Sequence, residues 1–197
     1  VTIGSGVKRI GENAFHGCSN LTAVTIGGNV EAIGASAFEG CTSLESVVVA
    51  EGNPKYDSRE GCNAIIATES NELIVGCKNT KLPSNVTSIG DWAFSGCSKL
   101  TGNLTIGDGV QAIGANAFRG CGFTGSLTLG SSVSDIGTYA FYQDKFTGTL
   151  TIPESMRTIN EYAFRDCKGF TALEIKSASI EKNMINPQTA ILAFVAD

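Results

Sequence analysis

The chain of 197 residues contains one histidine, one tryptophan, two methionines and four prolines. With His16 as the sole imidazole, a nucleophile–base pair has little to work with, and no recognisable motif surrounds it. Gly-x-Ser-x-Gly, His-Glu-x-x-His and phosphate-loop patterns are all absent. The seven cysteines include no Cys-x-x-Cys pair and have only His16 to share a metal ion, so neither zinc nor any other cofactor is expected. Acids are dispersed, the nearest cluster being Asp57 and Glu60 beside Arg59, which reads as a solvated turn. Glycoside hydrolysis needs two facing carboxylates, and nothing places such a pair. An enzyme is not expected.

Other absences narrow the partners. No apolar run approaches the ~20 residues of a membrane span. Fourteen basic against nineteen acidic residues give a formal charge of −5 with no Lys/Arg cluster, which disfavours nucleic acid and anionic membrane. At 42% hydrophobic and 17% charged, the chain has material for a core and is not a disordered composition.

What is present is a period. Ala-Phe pairs occur at 14–15, 37–38, 93–94, 117–118, 140–141 and 163–164, in steps of 23, 56, 24, 23 and 23 residues. Each follows Ile-Gly, or once Ile159-Asn160, by two variable residues. A fixed period in the twenties marks a solenoid of roughly eight coils, whose units share one continuous core because none can bury its apolar side alone.

Within one unit, Val24-Thr25-Ile26 alternates and is β-branched, so it reads as a short strand. Its counterparts are Val47–Val49, Leu104–Ile106, Leu127–Leu129, Leu150–Ile152 and Leu173–Ile175, and strands that return once per coil form a parallel sheet. The slot after the core Ile holds Gly11, Gly34, Gly90, Gly114, Gly137 and Asn160. Asn tolerates a left-handed backbone better than other non-Gly residues, so this slot is expected to have φ > 0. The following Ala-Phe is expected on a short helical or 3₁₀ turn at the back, with six phenylalanines in one buried column. Cys18, Cys41, Cys97, Cys121 and Cys167 lie three residues after those phenylalanines, with Asp144 in the remaining copy, so they read as small buried hydrophobes rather than disulfides.

The pattern Leu-x-x-Val-x-Ile-x-x-x-Val-x-x-Ile-Gly-x-x-Ala-Phe-x-x-Cys resembles the BspA-like, Treponema-type leucine-rich repeat family over residues 1 to 176. The resemblance implies an α/β solenoid: a curved right-handed coil with a parallel β-sheet on the concave face and short helical or 3₁₀ turns behind. It also implies a secreted or surface-attached bacterial protein, several relatives being adhesins, with no shared catalytic site. Val1-Thr2-Ile3 matches Val24-Thr25-Ile26, so the chain is expected to begin inside a repeat, as a piece of a longer protein.

The reading divides one domain, 1–197, into repeats at 1–49 and 82–176, an insert at 50–81 and a C-terminal cap at 177–197, with a closing strand over Ala190–Val195. In the insert, Asn63–Ile66 and Glu72–Val75 flank a polar turn and signal a β-hairpin. The family often carries such a hairpin, starting with a Tyr-x-Ser motif like Tyr56-Asp57-Ser58. It either protrudes to add function, with Tyr56 and Arg59 as exposed anchors, or covers a junction between two repeat blocks. Protrusion would let the solenoid fold without it. Cys62 and Cys77 lie symmetrically about the turn. They are expected either as a disulfide closing a 16-residue loop, worth roughly 3 kcal/mol, or as an unbonded cross-strand pair.

The function expected is a non-catalytic, extracellular, adhesin-like module for a protein or glycoprotein partner on a host surface or matrix. Its sheet would present Thr25, Val48, Thr105, Thr128 and Thr151. The alternative is a structural spacer that displays another domain. Hot-spot residue types occur elsewhere: Trp92, Tyr139 and Tyr162 share the slot before Ala-Phe.

Overall fold

The structure, a computed structural model, describes residues 1–180. The strand expected over Ala190–Val195 lies outside the described residues. The described residues form a β-solenoid of about seven turns. Each repeat contributes three stacked segments, two of them strands.

The first stack holds the Val-x-Ile strands. Ala23–Ile26 pairs in parallel with Ser46–Val49, Leu104–Thr105 with Leu127–Thr128, and Gly148–Ile152 with Phe170–Ile175. Side chains alternate as expected: Val24, Ile26, Val47 and Leu150 are buried while Val48 and Thr105 face out. The second stack is formed by the two residues ending at the core Ile, and no alternation in so short a segment announces it. Arg9–Ile10 pairs with Ala32–Ile33, and in a separate sheet Ser88–Ile89, Ala112–Ile113, Asp135–Ile136 and Thr158–Ile159 pair successively in parallel.

The third stack carries Ala-Phe, and it is not helical. Ala14 N donates to Gly11 O, His16 N to Asn13 O and Cys18 N to Phe15 O, a succession of tight turns. A left-handed residue recurs every fourth position, which no helix allows. One set is Asn13, Ser36, Trp92, Asn116, Tyr139 and Tyr162, with φ from 53° to 61°. The other is Gly17, Gly40, Gly96, Gly120, Gln143 and Asp166, with φ from 62° to 74°. The only helical segment among the described residues is a 3₁₀ turn at Arg59–Gly61 in the insert.

This corrects the reading of the Ile-Gly slot. Gly34, Gly114 and Asn160 are not among the positive-φ residues. Glycine is used there because adjacent coils nearly touch: a β-carbon on Gly114 would sit 2.6 Å from Asp91 N, and one on Gly137 2.5 Å from Ala115 N. Asn160, in the last described copy, instead donates its side-chain amide to Ile136 O at 3.0 Å.

The phenylalanines stack in two columns, not one. Phe15 and Phe38 lie 5.1 Å apart, while Phe94, Phe118, Phe141 and Phe164 stack at 5.0, 5.4 and 5.1 Å. The hairpin separates them. Tyr56–Asp57, Ile65–Ala67 and Glu72–Val75 form an antiparallel set whose last strand pairs in parallel with Ser88–Ile89. Its residues bury in two directions. Tyr56, Ile65, Val75 and Cys77 join the core of the first block, and Cys62, Ala64, Ile66 and Leu73 join that of the second. The insert is therefore a two-faced layer between blocks rather than a projection from them.

Candidate functional site

The insert was one expected site, and its side chains are occupied by the fold. Tyr56 is 8% exposed and packs with the first block. Arg59 lies along Asp57, with Nε 2.8 Å from Oδ1 and Nη2 2.6 Å from Oδ2, and its Nη1 donates to Asn71 Oδ1 at 2.6 Å. Burial would raise the Asp57 carboxyl, but the hydrogen bonds and charge of Arg59 outweigh it and hold the group below the usual carboxylate range. Arg59 thus fastens the hairpin turn to the entering strand.

Two polar residues that the sequence did not single out do related work. Asn53 donates from its amide to Gly27 O and Val30 O, and accepts from the amides of Lys55 and Tyr56. Ser58 Oγ accepts from Val49 N and donates to Ala64 O. Ser58 belongs to the Tyr-x-Ser motif, and no motif covers Asn53.

Cys62 and Cys77 are free thiols, as are the other five cysteines. The reason is a β-bulge. Pairing runs Ile66 to Leu73 but Ile65 to Val75, so the register shifts by one residue towards the base. Cys77 comes opposite Asn63, to whose carbonyl its thiol donates at 3.3 Å, and Cys62 turns into the other core. Within the Cys column, Cys41, Cys121 and Cys167 donate to the carbonyls of Phe15, Phe94 and Phe141 in the preceding copy of the repeat.

The second expected site is the outer row of the first strand stack. Val48, Thr105 and Thr128 are exposed there and Thr25 and Thr151 half-exposed. Val48 is 43% exposed, one of three large apolar side chains so placed among the described residues. Thr151 Oγ1 donates to Glu174 Oε2 at 3.0 Å, and Glu174 is the one charged residue of the row. The row brings together small, mostly uncharged side chains with no nucleophile–base geometry. Among the described residues, no group of three or more His, Cys, Asp or Glu is placed to hold a metal ion, and no helix is long and apolar enough to cross a membrane.

Stacked parallel rungs, stacked phenylalanine columns and a recurring Cys slot define a leucine-rich repeat solenoid. The chain belongs to the BspA type leucine rich repeat region family, whose pattern matches residues 1–59 and 70–189 in six copies. It is similar to a leucine rich cell surface protein of Faecalibacterium prausnitzii A2-165, with 22% identity and a TM-score of 0.70, over 93% of this chain and 54% of that one. It is also similar to the pneumococcal vaccine antigen PcpA, with 18% identity, a TM-score of 0.61 and coverage of 91% and 62%. For a leucine rich repeat protein of T. pallidum the values are 22%, 0.51, 89% and 70%. At these identities the likeness is one of fold, and the chain spans about half the length of the first of these proteins. No curated protein sequence matches it.

Proposed function

We propose that the chain is a non-catalytic, protein-binding repeat module of a bacterial surface or secreted protein, and that it recognises its partner with the outer row of the first strand stack. The observation that carries this reading is the row Thr25, Val48, Thr105, Thr128 and Thr151, whose uncharged side chains are exposed or half-exposed. Short side chains on a rigid ladder lose little entropy on contact, so a partner can lie across several rungs at small cost. The cell-surface relative supports a location outside the cell.

The test is binding of the labelled chain to immobilised host extracellular matrix, comparing the parent with Thr105→Lys/Thr128→Lys/Thr151→Lys. Saturable binding by the parent that the triple variant loses is the expected result. Equal binding by both, or none that saturates, overturns the reading and favours a spacer.

A further inference from the structure

We propose a second binding site, on the turn stack of the C-terminal block, for an acidic saccharide whose carboxylates recur on every second sugar. Two neighbouring columns of that stack carry it. The slot before Ala-Phe reads Trp92, Asn116, Tyr139, Tyr162 in successive repeats, and the slot after it reads Ser95, Arg119, Tyr142, Arg165.

The backbone gives the first reason to look for a ligand. Trp92, Tyr139 and Tyr162 have φ of 61°, 57° and 60°, a region that bulky L-residues avoid. Folding alone is served there by asparagine, as Asn13 and Asn116 show. Strained aromatic residues that stay partly open to solvent point to a use other than folding.

The second reason is the state of the polar groups. Arg119 lies over the Tyr142 ring at 5.6 Å and Arg165 over Tyr162 at 4.9 Å. Both arginines are exposed, and among the described residues neither guanidinium has an ion pair or hydrogen bond. Stacking holds each planar group while leaving its N–H edge free for a bidentate carboxylate. Asn116 is 8% exposed, its side-chain amide makes no hydrogen bond among the described residues, and it lines the same cavity of about 410 Å³ as Trp92, Arg119, Tyr139, Tyr142 and Arg165. That volume is in the range of small-molecule sites. Of the acids adjoining these residues in sequence, Asp91 accepts from Ala115 N and Asp166 pairs with Lys168, which leaves Glu161 exposed beside Tyr162.

Spacing selects the ligand. Rungs rise by ~4.8 Å, so Arg119 and Arg165 stand ~10 Å apart along the stack with Tyr142 between them. An extended peptide repeats a side chain on one face every ~6.8 Å and does not match this. A hexose advances its chain by about one rung, so alternate uronic acids meet the two arginines. The intervening sugar lies beside Tyr142, whose hydroxyl, between the two arginines, offers it a hydrogen-bond partner. Asn116 supplies both a donor and an acceptor for hydroxyl groups.

Trp92, the only tryptophan of the chain, lines the site and reports on it directly. Titrating the chain with hyaluronan hexasaccharide should change its fluorescence saturably. Arg119→Ala/Arg165→Ala should weaken binding at least tenfold, with an unchanged melting curve because both side chains are exposed. Tyr142→Ala should weaken it as well. Neutral chitohexaose should not bind, and the threonine-row triple variant should bind the acidic oligosaccharide normally. The proposal falls if the hexasaccharide gives no saturable change, if both variants bind like the parent, or if poly-L-glutamate binds as tightly and the patch reads charge alone.

Discussion

The ring of Phe94 lies directly on the backbone of Gly76, so close that a β-carbon at Gly76 would overlap Cε1 and Cζ. Gly76 N also donates to Ala93 O at 2.8 Å, taking an acceptor of the turn stack. Among the described residues, the backbone hydrogen bond that still crosses from one Ala-Phe turn to the next between the blocks is Gly40 N to Ser95 O at 3.2 Å, beside a side-chain bond from Ser95 Oγ to Glu39 Oε1. Gly76→Ala should therefore act as overpacking at the junction and cost about 1–3 kcal/mol. Chemical denaturation would show it as a lower midpoint. An unchanged midpoint would mean that Phe94 does not rest on this backbone.

The hairpin was visible in the sequence as two apolar segments around a polar turn, and the structure has it there. Its role was not visible, because Ile65 and Ile66 are both fully buried and adjacent residues of one strand point to opposite faces. A strand buried on both faces lies inside a protein, but four residues are too few to tell that from an edge strand with one apolar side. Cys62 and Cys77 are unbonded for a related reason: symmetry about a turn assumes a regular register, and the bulge at Ile65 removes it. The repeats themselves were legible because each position recurs six times. The sharing of one slot by Gly and Asn was misread, since φ > 0 and close backbone approach both select small residues.

Removing residues 54–80 should unfold the chain or leave it partly folded, contrary to what a protruding hairpin would allow. The deletion strips Cys62, Ala64, Ile65, Ile66, Leu73, Val75 and Cys77 from two cores, each at most 7% exposed. Fully burying an aliphatic side chain of Val, Leu or Ile size contributes about 1.5–3 kcal/mol, so the loss of four of them is comparable to the whole stability of an ordinary domain. A deletion variant that melts cooperatively within a few degrees of the parent would show that the two blocks can stack directly.

Gly114 distinguishes the two physical accounts of its slot. Its φ is not positive, so alanine meets no intrinsic backbone penalty and would gain slightly by restricting the unfolded chain. Against this stands the backbone of Asp91, 2.6 Å from a new β-carbon. Contact should win, and Gly114→Ala should destabilise by about 1–3 kcal/mol in a thermal or urea melt. A stabilised variant would mean that the coils are not held this close.

Asp144 occupies the Cys slot between Cys121 and Cys167, is fully buried, and has no hydrogen-bond partner for either carboxyl oxygen. A charge left there would be costly, and burial pushes its carboxyl up to about 9. The neighbouring thiols, likewise pushed up by burial, stay neutral through the same range. The unfolded chain releases the Asp144 proton near pH 4, whereas the folded chain keeps it until about pH 9. Between those limits the unfolded state binds fewer protons, so this residue makes stability fall as pH rises, by up to ~1.4 kcal/mol per unit. Below pH 4 its contribution is intact, and above pH 9 no further loss comes from it. Asp144→Cys restores the repeated residue, whose thiol can donate to Phe118 O as its counterparts do to theirs. The variant should melt higher than the parent at pH 8, match it most nearly at pH 4, and show a flatter dependence between. Parallel pH profiles for the two chains would mean that Asp144 ionises normally and is reached by water.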